Sequence, residues 1–559
     1  MLRLTVAWVV VNALLMTPLW LSAAVLPDGS ISGGWLAVEA AFLVGTLALL
    51  PRRPWGVRLA WGATIAVVLV TLVGVVDLVF QVSLARPLNL FIDPYLVSAV
   101  YNLAIGNMGL VATPATLLLL LLVLGLASFG LARLLAPPDV PPGWPRGAPL
   151  AWPRKGMAPR LAGLALVAFS ALGMTGTTPL IQSRLAAPVG RLVRTQAALL
   201  RETREEKRRF ADELTSPSSY AGVHGLLSGL EGRDVLLTFI ESYGMAVLND
   251  PDFAAVIGPR LDTLAARAGR TGLYLATGTL ISPTTGGQSW YAHGTVISGL
   301  WLSNQLRYEL MLASDRETMV DDFRHAGYRT AALMPAITMS WPDGVRLGYD
   351  QVHTAANITY GGPPLYWVTM PDQFTWSYLH RTVRHGGDGR PQFVGTAMVS
   401  SHAPWTPILP MVDWDEIGDG SRFESFRQEG HPPEELWIDI EQLRAQYARS
   451  IDYSLRAMTG YVERYLDEGT LLIVMGDHEA APWVTGATSA AVPVHVFARD
   501  RALLKPFLDW GFREGSRPDS NQEPHRMDEF RGWFVHAYSG GAAVPHARPH
   551  LQRATQEAP

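Results

Sequence analysis

Within the first 180 residues, five stretches are long and apolar enough to cross a lipid bilayer, which takes roughly 20 helical residues. They run Leu4–Val25, Ile31–Leu50, Val57–Phe80, Met108–Leu131 and Leu161–Thr178. Nothing else limits the fold as strongly. Backbone in hydrocarbon must satisfy its own hydrogen bonds, so each stretch is expected to be a helix. The run ATLLLLLLVLGLAS is the clearest; the second and fifth stretches are nearer the length limit. The first has a long apolar run and no convincing small-x-small cleavage site at its end, so it reads as a retained span rather than a signal peptide.

Positive charge in the connecting loops orients the spans. PRRPWGVR carries Arg52, Arg53 and Arg58 between spans two and three, and Arg133, Arg146, Arg154, Lys155 and Arg160 lie between spans four and five. The PDGSIS loop between spans one and two has no positive charge. This pattern places the N-terminus in the cytoplasm, and an odd number of spans then exports everything after residue 180. The expected layout is a five-span membrane domain (1–180), an amphipathic linker helix (181–230), an exported domain (231–515) and a mobile tail (516–559). The basic stretch RLVRTQAALLRETREEKRRFADEL fits the linker, either lying at lipid headgroups or as a solvated helix with i,i+4 ion pairs. The loop APPDVPPGWPRGAP reads as proline-rich and disordered.

The net charge of −4 and the lack of a basic, aromatic-interleaved tail exclude a nucleic-acid partner. There is no cysteine, which removes disulfides, zinc–thiolate sites and cysteine nucleophiles together. All histidines lie at or after His224, so imidazole chemistry belongs to the exported half.

From about Gly232 onward, short apolar runs alternate with helical stretches. DVLLTFI, TGLYLAT, YRTAALM, FVGTAMVS, TLLIVMG and PVHVFA have strand length and β-branched or aromatic content. DRETMVDDFRHAG and YARSIDYSLRAMTGYVERYLDEG read as helices. Such alternation predicts an α/β domain with a mostly parallel central sheet, in which ligands bind beyond the carboxyl ends of strands.

Three strands end on polar groups of one chemical kind: FIESYG at Glu241, VSSHAPW at His402 and MGDHE at Asp477 and His478. A lone Glu or His after a strand is more often a turn residue. An Asp-His pair at the end of a buried strand is costly to desolvate without a partner. Carboxylates with imidazole suit a divalent cation such as zinc or manganese, with magnesium a further option. In LISPTTGGQSWYAHGTVISGL, Ser289 falls at or near a helix N-terminus, where free N–H groups favour an anion and an activated hydroxyl. A simple N-cap serine is the bland reading of that segment. His293, four residues on, shares the helix face of Ser289; His495, inside VPVHVFA, reads as a satisfied core residue.

These pieces, in this order, resemble the alkaline phosphatase superfamily, and within it the sulfatase-like membrane branch of lipoteichoic acid synthases, phosphoglycerol transferases and phosphoethanolamine transferases. The resemblance implies a multi-pass membrane domain followed by an α/β sulfatase-like domain. It implies Glu241, Asp477, His478 and Ser289 as ligands of one divalent metal, and His402 facing the substrate phosphate. GYRTAALMPAITMSWPDGVRLGYD is similar to the family's headgroup-contacting stretch, which makes Trp341 and Arg346 substrate-binding candidates, although the family's arginine follows its tryptophan more closely. The branch generally uses threonine as nucleophile, in a Gly-x-Thr context. Gly287-Gln288-Ser289 fits that context with serine, and Thr285 or Thr284 serves if the loop is shifted. A formylglycine sulfatase is disfavoured, because SPTTGGQSW lacks the required Cys/Ser-x-Pro-x-Arg pattern.

The implied activity is transfer of a phosphoglycerol or phosphoethanolamine headgroup from a membrane phospholipid to a glycan or lipid acceptor through a covalent serine or threonine ester. The implied location is the bacterial cytoplasmic (inner) membrane, with the catalytic domain on the extracytoplasmic side. A phosphodiesterase or phosphatase with water as acceptor, and a catalytically inactive lipid-binding or regulatory protein, are the alternatives.

Overall fold

The computed structural model describes residues 1–25, 34–51, 53–137, 157–175, 184–363, 365–386, 389–427, 430–487, 489–519 and 523–539. The PDGSIS loop, Arg52, Arg146, Arg154, Lys155, most of the proline-rich loop and the tail from residue 540 on lie outside them. The chain forms two units, Met1–Glu206 and Lys207–Pro559.

The first unit is helical: α1 (Leu2–Val25), α2 (Val38–Leu49), α3 (Pro54–Leu84), α4 (Leu96–Leu135) and α5 (Met157–Thr175). Three segments are long and apolar enough to cross a membrane: α1, α3 and Met108–Leu135 of α4. The last begins beside a break in α4 at Gly109, whose φ of 86° is left-handed. The segments expected as spans two and five form the shorter apolar helices α2 and α5. Leu118 to Leu122 are each 59–67% exposed along α4. An apolar face this continuous is what hydrocarbon, not water, accommodates. A further helix, α6 (Pro188–Leu214), forms over the expected linker.

The second unit is built on a mixed, mostly parallel sheet, nine-stranded among the described residues. Its main strands are β1 (Asp234–Ile240), β2 (Tyr274–Ile281), β3 (Arg329–Met334), β4 (Gln351–Thr354), β5 (Gln392–Met398), β6 (Thr470–Gly476) and β7 (Ala491–Ala498). Two short strands, β8 (Arg513–Glu514) and β9 (His525–Arg526), flank β2. The order is β8-β2-β7-β6-β1-β5-β3-β4. Strands β6, β1, β5, β3 and β4 run parallel, while β7 runs antiparallel to both its neighbours.

Residues on alternate positions of each strand enter different cores, as the two-residue period of a pleated strand requires. Leu236, Ile240, Leu472 and Val474 pack with helices α7 (Pro251–Arg270) and α11 (Ile440–Tyr465). Val235, Leu237, Phe239, Ile473 and Met475 pack on the other face with α8 (Ser289–Ser298), α9 (Met319–His325) and α12 (Phe530–Tyr538). A short helix, α10 (Asp372–Tyr378), lies before β5 in the chain.

Helix α12 corrects the expected tail. Residues 523–539 are not a loose extension: Phe530 and Phe534 are fully buried, and Arg531 is buried against Asp322. The polar stretch before them, rich in proline and charge, hid a helix whose apolar positions 530, 534, 535 and 538 form one stripe.

Candidate active site

The central strands bring the polar residues together through register. Ile240 of β1 pairs with Met398 of β5 on one side and Gly476 of β6 on the other. The next residues, Glu241 and Asp477, are therefore neighbours at the carboxyl edge of the sheet, and the segment after β5 delivers His402 to the same edge. Glycine at 476 is required by close approach: a Cβ there would stand 1.9 Å from the Tyr243 carbonyl oxygen.

Glu241, Asp477 and His478 are all buried, and each offers a ligand atom within 4.8 Å of the others. His478 Nε2 lies 3.2 Å from Glu241 Oε1. Its Nδ1 faces the Glu479 carbonyl at 2.9 Å, which fixes the ring and leaves Nε2 toward the cluster. Asp477 Oδ1 accepts the backbone N–H groups of Ser242 (2.8 Å) and His478 (2.7 Å), while the Ser242 hydroxyl donates to Glu241 Oε1 at 3.0 Å.

Ser289 is the first residue of α8 and joins this group directly. Its hydroxyl donates to Glu241 Oε2 at 2.8 Å, and its Oγ lies 3.1 Å from His478 Nε2. The loop before it holds three successive left-handed residues, Gly286, Gly287 and Gln288, with φ of 76°, 143° and 64°. Glycine makes the first two accessible and lets the chain turn sharply into the helix. Free N–H groups and the helix dipole at this end favour an anion.

The electrostatics fit a cation. Burial, the largest single effect, pushes the Glu241 carboxyl up, but the His478 charge and hydrogen bond, the His402 charge and the Ser289 hydroxyl together outweigh it and hold the group below the usual carboxylate range. Burial and then the Glu241 charge push Asp477 up to about 8. His478 is opposed by burial yet raised to about 10 by Asp477 and Glu241. Asp477, His478 and the Ser289 hydroxyl thus hold protons beside an ionised Glu241, where a divalent ion would replace them, and the donor set suits zinc or manganese.

The other expected residues fall less uniformly. His402 is half-buried; its Nδ1 faces the Ala403 carbonyl, and Trp367 stands edge-on to its ring at 6.2 Å. Its charge also acts on Glu241. Thr285 pairs through its backbone with Glu479, and the Thr284 hydroxyl donates to the Gly287 carbonyl, so both shape the loop while Ser289 faces the cluster. Trp341 lies against Gly344 and Arg346 is exposed; among the described residues neither touches the cluster. His495 is a satisfied core residue, between Tyr243 Oη (3.0 Å) and Thr277 Oγ1 (2.9 Å).

Three residues that support the site were not assigned from sequence. Glu479 is buried and caps the Ala246 and Ala480 N–H groups. Its carboxylate passes where a Cβ on residue 244 would be, 2.1 Å away, so Gly244 has to be glycine. Asp372 accepts from the N–H groups of Val399 and Ser400 and from Ser454 Oγ, which holds the start of the His402 loop. Ser242 is the third. An acid directly after the Asp-His pair was a visible signal for Glu479; nothing local in the sequence marks Asp372.

No protein-family model matches the chain, and no curated protein matches it. Solved structures do. The chain is similar to the lipoteichoic acid synthase LtaP from Listeria monocytogenes, at 12% identity over 61% of this chain and 79% of that one, with a TM-score of 0.38. It is similar to the C-terminal periplasmic domain of EptC from Escherichia coli at 12% identity, 55% and 82% coverage and a TM-score of 0.35. It is also similar to the phosphonate monoester hydrolase of Agrobacterium radiobacter at 15% identity, 53% and 72% coverage and a TM-score of 0.32.

Proposed function

We propose that this chain is a membrane-anchored, metal-dependent phosphotransferase of the sulfatase-like alkaline phosphatase superfamily. It moves a phosphoglycerol or phosphoethanolamine headgroup from a phospholipid to a hydroxyl on a glycan or lipid. One observation carries the reading: the Ser289 hydroxyl, at a helix N-terminus, is hydrogen-bonded into a buried Glu241–Asp477–His478 cluster. A serine used only as a helix cap has no need of two buried acids and an imidazole.

In the first step Ser289 Oγ bonds to phosphorus as the bond from phosphorus to the diacylglycerol oxygen breaks. The hydroxyl donates to Glu241 Oε2, which holds Oγ in place, and its proton passes to solvent as that bond forms. Glu241, Asp477, His478 and Ser289 would hold a divalent cation, which would supply Lewis-acid charge at the reacting oxygen and phosphorus. The first N–H groups of α8 take the phosphoryl oxygens. His402, with Nδ1 turned to backbone, offers Nε2 to protonate the departing diacylglycerol oxygen and then to deprotonate the acceptor hydroxyl in the second step. Trp341 and Arg346 are proposed as headgroup contacts. The apolar helices of the first unit suit a lipid donor, and the loop arginines suit an N-terminus in the cytoplasm with this domain outside.

Intact mass of the full chain in detergent, after exposure to short-chain phosphatidylglycerol or phosphatidylethanolamine, tests the reading. A headgroup-phosphate adduct on the parent and none on Ser289→Ala supports it and names the donor. Lipid hydrolysis without an adduct moves the reading to a hydrolase, and no turnover with no bound metal refutes both.

A further inference from the structure

One half-buried histidine of the second unit has no place in that mechanism. His293 lies on α8 four residues after Ser289, so both occupy the same face of the helix, one turn apart. Its side chain is 15% exposed, but Nε2 is buried and has no hydrogen-bond partner. A buried polar nitrogen without a partner costs free energy and needs a reason. The ring is held by Phe239, stacked at 4.0 Å with the planes 26° apart. Phe239 precedes Glu241 by two residues on β1, so the strand that delivers a carboxylate to the cluster also orients this imidazole.

Nε2 is aimed at the cluster, 3.9 Å from Asp477 Oδ2. That separation is too long for a hydrogen bond. It is nevertheless a separation that one ion spans, since two donors each about 2.0–2.2 Å from a zinc ion stand at most roughly 4.4 Å apart. The other Asp477 oxygen, Oδ1, is already occupied by two backbone N–H groups. The unfilled nitrogen and the less committed carboxylate oxygen face each other at the edge of the candidate metal site; His293 lies outside the group whose ligand atoms are all within 4.8 Å of one another, so joining it takes a shift of the ring toward the ion.

We infer that His293 supplies a second imidazole ligand to the cation, making the site Glu241, Asp477, His478, Ser289 and His293. This rests on the metal-dependent reading of the cluster and deepens it. A second neutral nitrogen shifts preference toward zinc over manganese or magnesium, because imidazole suits zinc whereas oxygen donors suit the harder ions. It also ties the cation to α8 at two points one turn apart, so that ion binding sets the position of Ser289.

The test uses the full chain in detergent, stripped with a chelator, and competition with a chromophoric chelator for zinc and for manganese. The parent is compared with His293→Gln and His293→Ala, and with His478→Ala as the control that removes a cluster ligand. The visible spectrum of each cobalt-loaded protein reports its coordination. The expected result is one zinc per parent chain, with zinc affinity lowered by about tenfold or more in both His293 variants. Manganese affinity should fall less, and the cobalt bands should shift. Unchanged zinc affinity and an unchanged cobalt spectrum in His293→Gln overturn this inference alone and leave His293 as a core residue stacked on Phe239. A parent that binds neither ion overturns the metal-dependent reading as well. Circular dichroism of each variant separates ligand loss from failure to fold: weakened binding counts for the inference only in a variant with the parent's spectrum.

Discussion

Ser289 Oγ and Glu241 Oε2 are 2.8 Å apart, although 48 residues separate them in the chain. The contact exists because β1 ends at Ile240 and the glycine-rich loop before α8 brings the first helical residue back over that strand end. If Ser289 is the nucleophile, Ser289→Ala removes the attacking atom, and headgroup release should fall by about three orders of magnitude or more. Ser289→Thr keeps the hydroxyl and the helix position and should retain measurable turnover. Thr285→Ala should fall far less than Ser289→Ala. Steady-state headgroup release from short-chain lipid measures all three, and equal losses at 285 and 289 would move the nucleophile.

Metal uptake should release protons. Without a cation, Asp477 is pushed up to about 8 and His478 to about 10, so both hold protons near pH 7. A divalent ion needs them deprotonated. Affinity is therefore expected to rise with pH between about 6 and 8, with more than one proton released per ion. Calorimetry in buffers of different ionisation enthalpy counts those protons. Saturation at a hundred times Kd should also stabilise the fold by about 2.7 kcal/mol, a gain absent in Glu241→Gln if that side chain is a ligand.

His495 gives a separate pH effect, remote from any ion. Burial pushes its imidazole down to about 3, so it stays neutral between Tyr243 and Thr277 in the fold. The unfolded chain binds a proton there near pH 6.5. Between those values the unfolded state holds more protons, so stability is intact above about 6.5 and declines as pH falls toward 3. The slope is on the order of 1.4 kcal/mol per pH unit for one group. His495→Gln should flatten that acid limb, as read by amide exchange across residues 491–498 at a series of pH values.

Much of this site was legible because parallel strands translate sequence into position. An apolar run of strand length that stops at an acid or histidine puts that group at the carboxyl edge of the sheet, and Glu241, His402, Asp477 and His478 all follow this rule. All six runs read as strands form strands. Ser289 was legible from its glycines, which mark a sharp turn into a helix. What stayed hidden depends on contacts distant in sequence. Asp372 lies 27 residues before the Val399 N–H it accepts, and α12 occupies a stretch whose apolar stripe is diluted by charge. Trp341 and Arg346 were proposed by resemblance alone, and the structure ties Trp341 to Gly344 instead of to the cluster.

The C-terminal helix should be held by a buried ion pair. Arg531 donates to both Asp322 oxygens, at 2.8 and 2.9 Å, with the two side chains 3% and 0% exposed. It also donates to the carbonyls of Ser298, Glu317 and Ser218. Arg531→Met leaves Asp322 buried and unpaired, which should cost about 3–5 kcal/mol. Adding Asp322→Leu should recover part of that loss, and the carbonyls left without a donor account for the rest. Thermal unfolding of the single and double variants checks this; a single variant as stable as the parent would show the pair to be dispensable.

Asp372 offers the sharpest division between chemistry and metal binding. Its carboxylate accepts the N–H groups of Val399 (2.7 Å) and Ser400 (2.8 Å) and the Ser454 hydroxyl (2.6 Å), and its own N–H donates to Ser400 Oγ. These bonds fix the first turn after β5, from which His402 reaches the site; none of them touches Glu241, Asp477 or His478. Asp372→Ala should therefore release the His402 loop while leaving cation affinity near that of the parent. If His402 is the proton donor, kcat should drop toward the level of His402→Ala, by about 10²–10⁴-fold, with a much smaller change in zinc or manganese affinity. Combining Asp372→Ala with His402→Ala should then add little, because both act on one group. Additive losses would mean that Asp372 acts on the reaction by a route other than His402.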